Sequence, residues 1–318
     1  MKTQDSIMDL IRVPVGDWAA AALDWFKNAF DGFLGVVGFV MNWLVSELSD
    51  VLIATPFLLL ILVLALIGWL VRSWQFAIGT VVTLLAIVAM GQWENALYTL
   101  ALVLIATVIA VAIAVPLGIW AARNDRVSAT IKPILDFMQT MPAFVYLIPA
   151  VIFFTIGFAP GVFATIIFAL PPGVRFTELG IRGVDSETVE AGYAFGAKPG
   201  AILRGIQLPL AMPTIMAGIN QVIMLALSMA VVAGMAGANG LGKEVIASIS
   251  TLNVSKGVEA GLGVVLLAVY LDRVTAALGA PADFKRSLRS MLRTRRQGAA
   301  KAAAKSAARP APAAAISH

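Results

Sequence analysis

Residues 189–213 read VEAGYAFGAKPGAILRGIQLPLAMP, a stretch in which three charged residues, four glycines and three prolines interrupt long apolar runs. Ser186, just before it, is of a type that caps helix N-termini, so we expect a short helix from 186 to 195. Gly196 is suited to end that helix, and Pro199 to begin a second one that runs to 207. The pattern therefore predicts two short helices joined by a glycine turn.

The surface of this segment suits contact with another protein. Ala191, Gly192 and Ala194 keep one part of the first helix thin, and Glu190 and Arg204 offer polar contacts. Connecting segments of about 30 residues with internal helices usually carry a function. We therefore expect more than a passive connection between two membrane segments.

The composition is that of a polytopic membrane protein. The 318 residues are 60% hydrophobic and 13% charged, and the mean hydropathy is +0.90. Cysteine is absent and the one histidine is His318, which excludes disulfides and thiolate metal sites and leaves little imidazole chemistry. We expect no catalytic residue, metal site, bound cofactor or nucleic-acid partner, so this chain alone is not predicted to be an enzyme.

The apolar runs predict an all-α fold with about seven transmembrane helices, since about 20 residues cross the hydrocarbon core. A short link at Arg72, Ser73 and Trp74 separates the first two runs, which also fit one re-entrant hairpin. The seven runs are 51–71, 75–92, 97–120, 143–158, 161–180, 213–236 and 258–278.

Charge asymmetry predicts the orientation. The segments 121–132 and 182–204 carry Lys and Arg, and the low-complexity tail 281–318 is strongly basic. Such segments stay in the cytoplasm, so a chain of seven spans has its N-terminus outside and its C-terminus inside. The basic tail also suits contact with anionic membrane lipid.

The N-terminal segment 1–50 is predicted to be periplasmic or interfacial. Residues 17–46 alternate as an amphipathic helix, with Asp17, Asp24 and Asp31 on one face and Trp18 and Trp25 on the other. Such a helix lies on the membrane surface. A cleavable signal peptide is disfavoured, because no basic region leads directly into an apolar core and a small-residue cleavage site.

The segment GANGLGKE at residues 237–244 matches the first seven positions of a phosphate-binding loop. The eighth position requires Ser or Thr for the magnesium ion, but Glu244 stands there after a membrane segment rather than a strand. We therefore interpret these glycines as a turn between helices on the outer face.

The stretch quoted first resembles the EAA loop of ABC importer permeases, in which Glu-Ala-Ala is followed by a glycine and by Ile-x-Leu-Pro. Gly192 stands where that motif has its third alanine. The matching positions are Glu190, Ala191, Gly196, Ile206, Leu208 and Pro209. Further stretches, at 136–157, 168–181, 208–237 and 271–275, look like the permeases of glycine betaine, proline and choline importers.

This resemblance implies a type I ABC importer permease fold for residues 51–280, with a coupling loop at about 183–212. It further implies a homodimer in the bacterial inner membrane, a cytoplasmic ATPase dimer that binds the ATP, and a periplasmic substrate-binding protein. The chain's own role would be mechanical: it would move glycine betaine, choline or proline-type compatible solutes when the loop is displaced.

Polar and aromatic residues inside the apolar runs are candidates for the translocation path. Asn220, Gln221 and Ser228 either line such a path or bond neighbouring helices. Phe144 and Tyr146 offer ring faces, which hold quaternary ammonium groups well, or are packing residues. Arg175 and Glu178, three residues apart, are expected to pair with each other.

Two other functions fit a chain of this composition less well. An ion-coupled secondary transporter of quaternary amines requires coupling-ion sites and usually has internal repeats, but the spans contain no cluster of acids and no evident repeat. A structural or mechanosensing membrane protein has no use for the EAA spacing. Both alternatives are therefore disfavoured.

Overall fold

The computed structural model of the chain describes residues 13–279, and all regular elements in that range are helical. The predicted tail 281–318 and residues 1–12 lie outside the described residues. The α-helices of this range are α1 (Val15–Ala29), α2 (Asp31–Ala54), α3 (Phe57–Val71), α4 (Trp74–Ala89), α5 (Trp93–Arg123), α6 (Asp125–Thr140), α7 (Leu147–Phe154), α8 (Phe158–Arg182), α9 (Ser186–Ala194), α10 (Pro199–Ile202), α11 (Leu208–Ala233), α12 (Leu241–Ser250) and α13 (Val254–Gly279). Short 3₁₀ helices cover Ala143–Tyr146 and Gly234–Ala236, and a π-helical turn covers Leu203–Gln207.

Helices α5, α8 and α11 form the centre of the molecule, where small residues allow close helix contact. A Cβ atom on Gly173 of α8 would lie 2.8 Å from Cβ of Ala114 on α5. A Cβ atom on Gly218 of α11 would lie 2.5 Å from Cβ of Phe176 on α8. Membrane helices associate through such small residues because the lipid offers no hydrophobic drive for their packing.

The all-α membrane fold is confirmed, but the number of full spans differs from seven. Within residues 13–279, five helical segments are long and apolar enough to cross a membrane: Asp31–Ala54, Trp93–Arg123, Phe158–Arg182, Pro199–Ala236 and Val254–Gly279. The run at 143–158 is a 3₁₀ turn followed by the eight-residue α7, and it meets α6 at a bend of 108°. Counting that bent pair as one broken span gives six.

The first two predicted runs correspond to the short helices α3 and α4. At 15 and 16 residues they extend about 22–24 Å, less than the hydrocarbon core. Ile61 of α3 shares a buried cluster with Leu84 and Ile87 of α4, while Gly68 lies against Phe76 near the link. The antiparallel packing fits both alternatives, and the shortness of the two helices favours the re-entrant hairpin.

The N-terminal region also differs from the prediction of one surface helix at 17–46. The helix is interrupted at Phe30, and its second part, α2, continues to Ala54 with Leu34, Met41 and Val45 in the core. The polar side of α2 is used by the protein itself, since the Oδ1 atom of Asn42 accepts a hydrogen bond from the backbone N–H of Ala159 (2.9 Å). Only α1, which buries no residue, retains the predicted exposed character.

The glycines of residues 237–244 form turns and close contacts, as the sequence predicts. Gly237 and Gly240 have φ angles of +82° and +133°, which favour glycine. The backbone N–H of Leu241 donates to Oγ1 of Thr99 (2.9 Å), and a Cβ on Gly242 would lie 2.5 Å from the Val231 carbonyl oxygen. The loop is thus packed against α5 and α11.

Candidate functional site

Helix α9 begins directly after Asp185, which is its N-cap. The Asp185 carboxylate accepts hydrogen bonds from the backbone N–H groups of Glu187 (3.4 Å) and Thr188 (3.3 Å). The predicted cap, Ser186, is instead the first helical residue. The capping position falls one residue earlier because the Asp185 backbone is extended, and its negative charge suits a helix N-terminus.

Gly196 ends this helix, as predicted. Its φ angle is +79°, its N–H donates to the Tyr193 carbonyl (2.8 Å), and the Ala197 N–H donates to the Gly192 carbonyl (3.1 Å). These two bonds are those of a Schellman motif, which satisfies the last carbonyls of the helix. The turn between the two short helices is therefore a defined structure.

The second helix begins at Pro199, as predicted, but does not stop at Gln207. It continues through the π-helical turn Leu203–Gln207 into α11, so that Pro199–Ala236 is one long helical segment. Pro209 adjoins the widened turn and lacks the N–H that would donate to the Gly205 carbonyl. The loop is thus directly continuous with a membrane-crossing helix.

Gly192 is the point where the two halves of the loop touch. A Cβ atom at Gly192 would lie 2.8 Å from Cδ1 of Ile206 and 3.4 Å from Cγ1 of Ile202. Gly192 therefore packs inside the loop, and its expected role in close approach by another protein stays a prediction. Leu208 joins a cluster with Ile181 and Leu203, which fixes the loop to the end of α8.

The outward surface of the loop is both polar and aromatic. Glu190, Ala191 and Pro209 are exposed, and Tyr193 and Phe195 add two large exposed side chains, with Phe195 92% accessible. These two aromatic residues were not among the predicted site residues, although aromatic side chains within a short glycine-bounded helix were a signal for them. Exposed apolar groups of this kind mark protein interaction sites.

The charged residues at the end of α8 do not pair as expected. Arg175 pairs with Asp136 of α6, whereas Glu178 lies 3.0 Å from Nε of Arg182 and 3.4 Å from Nζ of Lys132. The predicted Arg175–Glu178 pair is wrong because α6 packs across this face of α8 and provides other partners for both.

The polar residues of α11 point in two directions. The Asn220 side-chain amide donates to the Asp272 carboxylate on α13 (2.9 Å), so Asn220 joins two helices. Gln221 and Ser228 are exposed in the single chain and share a stripe with Ala217 and Met235. The role of Gln221 and Ser228 in transport stays a prediction.

The two aromatic candidates for the translocation path, Phe144 and Tyr146, differ in accessibility. Phe144 is 58% accessible, as an open ring face requires. Tyr146 is buried, with its ring edge against Phe168 and its hydroxyl donating to the Met138 carbonyl. Tyr146 therefore packs the corner between α6 and α7 and offers no free face in this conformation.

The chain is similar to known proteins in both sequence and fold. Residues 114–280 match the family described as "Binding-protein-dependent transport system inner membrane component". The chain is 46% identical over 271 residues to the glycine betaine/proline betaine transport system permease protein ProW of Escherichia coli (strain K12), covering 84% of this chain and 75% of that protein. It is 45% identical over 271 residues to the glycine betaine transport system permease protein OpuAB of Bacillus subtilis (strain 168), covering 84% and 94%.

Among solved structures, a chain of the inward facing MetNI methionine ABC transporter (CY5 native crystal form) superposes with a TM-score of 0.55. The sequence identity is 19%, and the match covers 60% of this chain and 95% of that one. This likeness shows a shared fold.

Proposed function

Because this chain belongs to the family of binding-protein-dependent transport system inner membrane components, we propose that it is the permease subunit of an ATP-driven importer of glycine betaine and related quaternary amines. It is a multi-pass membrane protein with several apolar helices. The N-terminus is proposed to lie outside and the C-terminus in the cytoplasm, following the basic segments of the sequence. This orientation requires an odd number of crossings, so Asp31–Ala54 is proposed to pack against the other helices without crossing the membrane.

The single observation that carries the coupling mechanism is the loop at about 183–212. It is a pair of short helices held by the Asp185 cap, the Gly196 turn and the Gly192–Ile206 contact. Glu190, Tyr193 and Phe195 lie on its accessible surface. We propose that this surface enters a groove of the cytoplasmic ATPase, which binds and hydrolyses the ATP.

Transmission from the loop to the membrane follows from chain continuity. The second helix of the loop is the beginning of the Pro199–Ala236 segment. Displacement of the loop by the ATPase therefore tilts α11. Packed helices switch between discrete arrangements instead of deforming smoothly. A movement of the ATPase dimer thereby becomes a change of access across the membrane.

The exposed stripe of α11 supports the proposed homodimer. Ala217, Gln221, Ser228 and Met235 recur at helical spacing along one accessible face. Two copies that met near this stripe would place Gln221 and Ser228 beside a shared path for the solute. A periplasmic binding protein would deliver the solute at the outer end of that path.

The proposed substrate class is supported by the sequence relatives and by the exposed aromatic ring of Phe144. Both sequence relatives are named as glycine betaine permeases, and the exposed Phe144 offers a face to a cation that cannot donate hydrogen bonds. The choice among glycine betaine, proline betaine, choline and proline is proposed to lie mainly with the binding protein.

Co-purification tests the proposed coupling surface. Phe195→Asp places a charge on a side chain that is 92% accessible, so the fold is unaffected, and we expect loss of the ATPase from the purified complex. Leu252→Asp is the matched control, because Leu252 is 86% accessible at the far end of α12, on the face predicted to lie outside. Equal recovery of ATPase with both variants would refute the assignment of the loop.

A further inference from the structure

Helices α6 and α8 present complementary charged faces to each other. Asp125, Ser128, Lys132 and Asp136 recur every three or four residues on α6, and so share one side of that helix. On α8, Arg175, Glu178 and Arg182 share one side in the same way. Acids and bases alternate along both faces.

The two faces meet in antiparallel register. Arg182 lies 2.7 Å from Asp125, Glu178 lies 3.4 Å from Lys132, and Arg175 pairs with Asp136. The Ser128 hydroxyl donates to the Glu178 carboxylate (2.7 Å), which is also 3.0 Å from Nε of Arg182. We call this set of contacts between residues 125–136 and 175–182 the ionic zipper.

Glu178 is the centre of the ionic zipper. Its side chain is only 8% accessible, and it is contacted by a hydroxyl, an ammonium and a guanidinium group. A buried carboxylate is tolerated only when it is paired and hydrogen-bonded. The outer pairs are more accessible, so their charges can be changed without burying a new one.

The position of the ionic zipper connects the loop to a distant part of the chain. Arg182 also donates to the Ala121 carbonyl at the end of α5 (2.8 Å), and it stands three residues before Asp185, the cap of α9. At its other end, α6 leads into the 108° bend and the segment Ala143–Phe154, which carries Phe144. The ionic zipper therefore lies between the loop and that segment.

We propose that the ionic zipper joins α6 and the adjoining half of α8 into one rigid body, so that displacement of the loop also moves the segment Ala143–Phe154. This inference rests on the proposed transport function and adds a second mechanical connection to the one through Pro199–Ala236. Asp136, Arg175 and Glu178 are positioning residues in this scheme. They hold the segment Ala143–Phe154 in position and do not contact the solute.

Charge exchange at the outer pair tests this connection in the complete complex, reconstituted with its ATPase and binding protein. Asp136→Arg and Arg175→Glu each place like charges in contact, and we expect each to lower solute transported per ATP hydrolysed by about fivefold or more. The double variant restores opposite charges, and we expect it to regain most of that ratio. Arg126→Glu is the control, because Arg126 is exposed on α6 and forms no ion pair among residues 13–279.

Cross-linking provides the second measurement if a single variant reaches the membrane poorly. The chain contains no cysteine, so Asp136→Cys/Arg175→Cys can be joined specifically by a short thiol-reactive reagent. A rigid body predicts that the joined protein transports better than the unjoined double variant. The two single-cysteine variants, treated alike, control for modification of either site.

The wild-type complex separates failure of this inference from failure of the proposed function. If wild-type protein gives no ATP-driven uptake, the transport assignment fails and the inference fails with it. If wild type transports but charge exchange restores nothing, or cross-linking stops uptake, then only the rigid body is refuted.

Discussion

Ile206 fills the space left by the missing side chain of Gly192, with its Cδ1 atom 2.8 Å from where a glycine-borne Cβ would stand. This contact joins the first helix of the coupling loop to the second. It explains why a small residue is required at position 192 inside the loop, whatever the loop contacts outside. Ile202, one turn earlier on the same helical segment, also borders Gly192, so two side chains fix the angle between the helices.

Enlarging Gly192 is expected to separate the two helices. Gly192→Ala meets only the far end of a flexible side chain, so uptake should stay within about twofold of wild type. Gly192→Leu has no such room, and we expect uptake to fall by about tenfold or more while the protein still reaches the membrane. Uptake per amount of membrane-inserted protein is the measurement.

A compensating change at Ile206 checks the cause of that loss. Ile206→Ala in the Gly192→Leu background returns space, so part of the uptake should return. Gly205→Leu is the matched control, since nothing lies within 4 Å of a Cβ at that position. No recovery in the double variant would contradict the packing explanation.

Gly196 is required for its backbone conformation and not for lack of space. Its φ angle is +79° and nothing lies within 4 Å of an added Cβ. Asn tolerates this conformation, whereas a β-branched residue is strained there by about 1–2 kcal/mol or more. Gly196→Asn should therefore retain most uptake and Gly196→Val should lose it.

The same substitutions at Gly200 serve as the comparison, because Gly200 also has open space around it but does not adopt a positive φ angle. Gly200→Val should be milder than Gly196→Val in the same uptake measurement. Equal losses at both positions would mean that the turn conformation is not the cause.

Removing the side chain of Asp185 or of Ser186 shows which of the two residues caps α9. Asp185→Ala removes the side chain that caps the helix, which costs about 1 kcal/mol. We expect backbone amide exchange in residues 187–190 to become about fivefold faster, as measured by mass spectrometry. Ser186→Ala should leave exchange unchanged, and the reverse result would restore Ser186 as the cap.

Replacing Asn220 should lower the stability of the protein, whereas replacing its neighbour Gln221 should not. Asn220→Ala removes the hydrogen bond to Asp272 and leaves that carboxylate with one partner fewer. The free energy of unfolding of the solubilised protein should therefore fall by about 1–3 kcal/mol. Gln221→Ala changes an exposed side chain and should leave stability within about 0.5 kcal/mol. A larger loss of stability for Gln221→Ala would contradict these positions.

The loop was predictable because its structure is local. Gly196 and Pro199 act through their own backbone preferences, and the spacing from Glu190 to Pro209 carries the family resemblance. The one-residue error at Ser186 arose because Asp and Ser are nearly equal as caps, so the choice depends on backbone angles that composition does not show.

Other features depend on contacts between distant segments. Arg175 and Glu178 are a plausible pair along one helix, but α6 brings Asp136 and Lys132 to the same face. Tyr146 was a candidate to offer a ring face to the solute, but the 108° bend places its ring against Phe168. The partial burial of Asp31–Ala54 was not predicted because its polar positions suggested a surface helix, whereas Asn42 bonds to the start of α8.

The most direct test of the central claim is uptake of radiolabelled glycine betaine into proteoliposomes that contain this permease, its ATPase and its binding protein. We predict uptake that requires ATP on the side of the coupling loop and is lost with Phe195→Asp but not with Leu252→Asp. Uptake that continues without ATP or ATPase, driven by a sodium or proton gradient, would contradict the account.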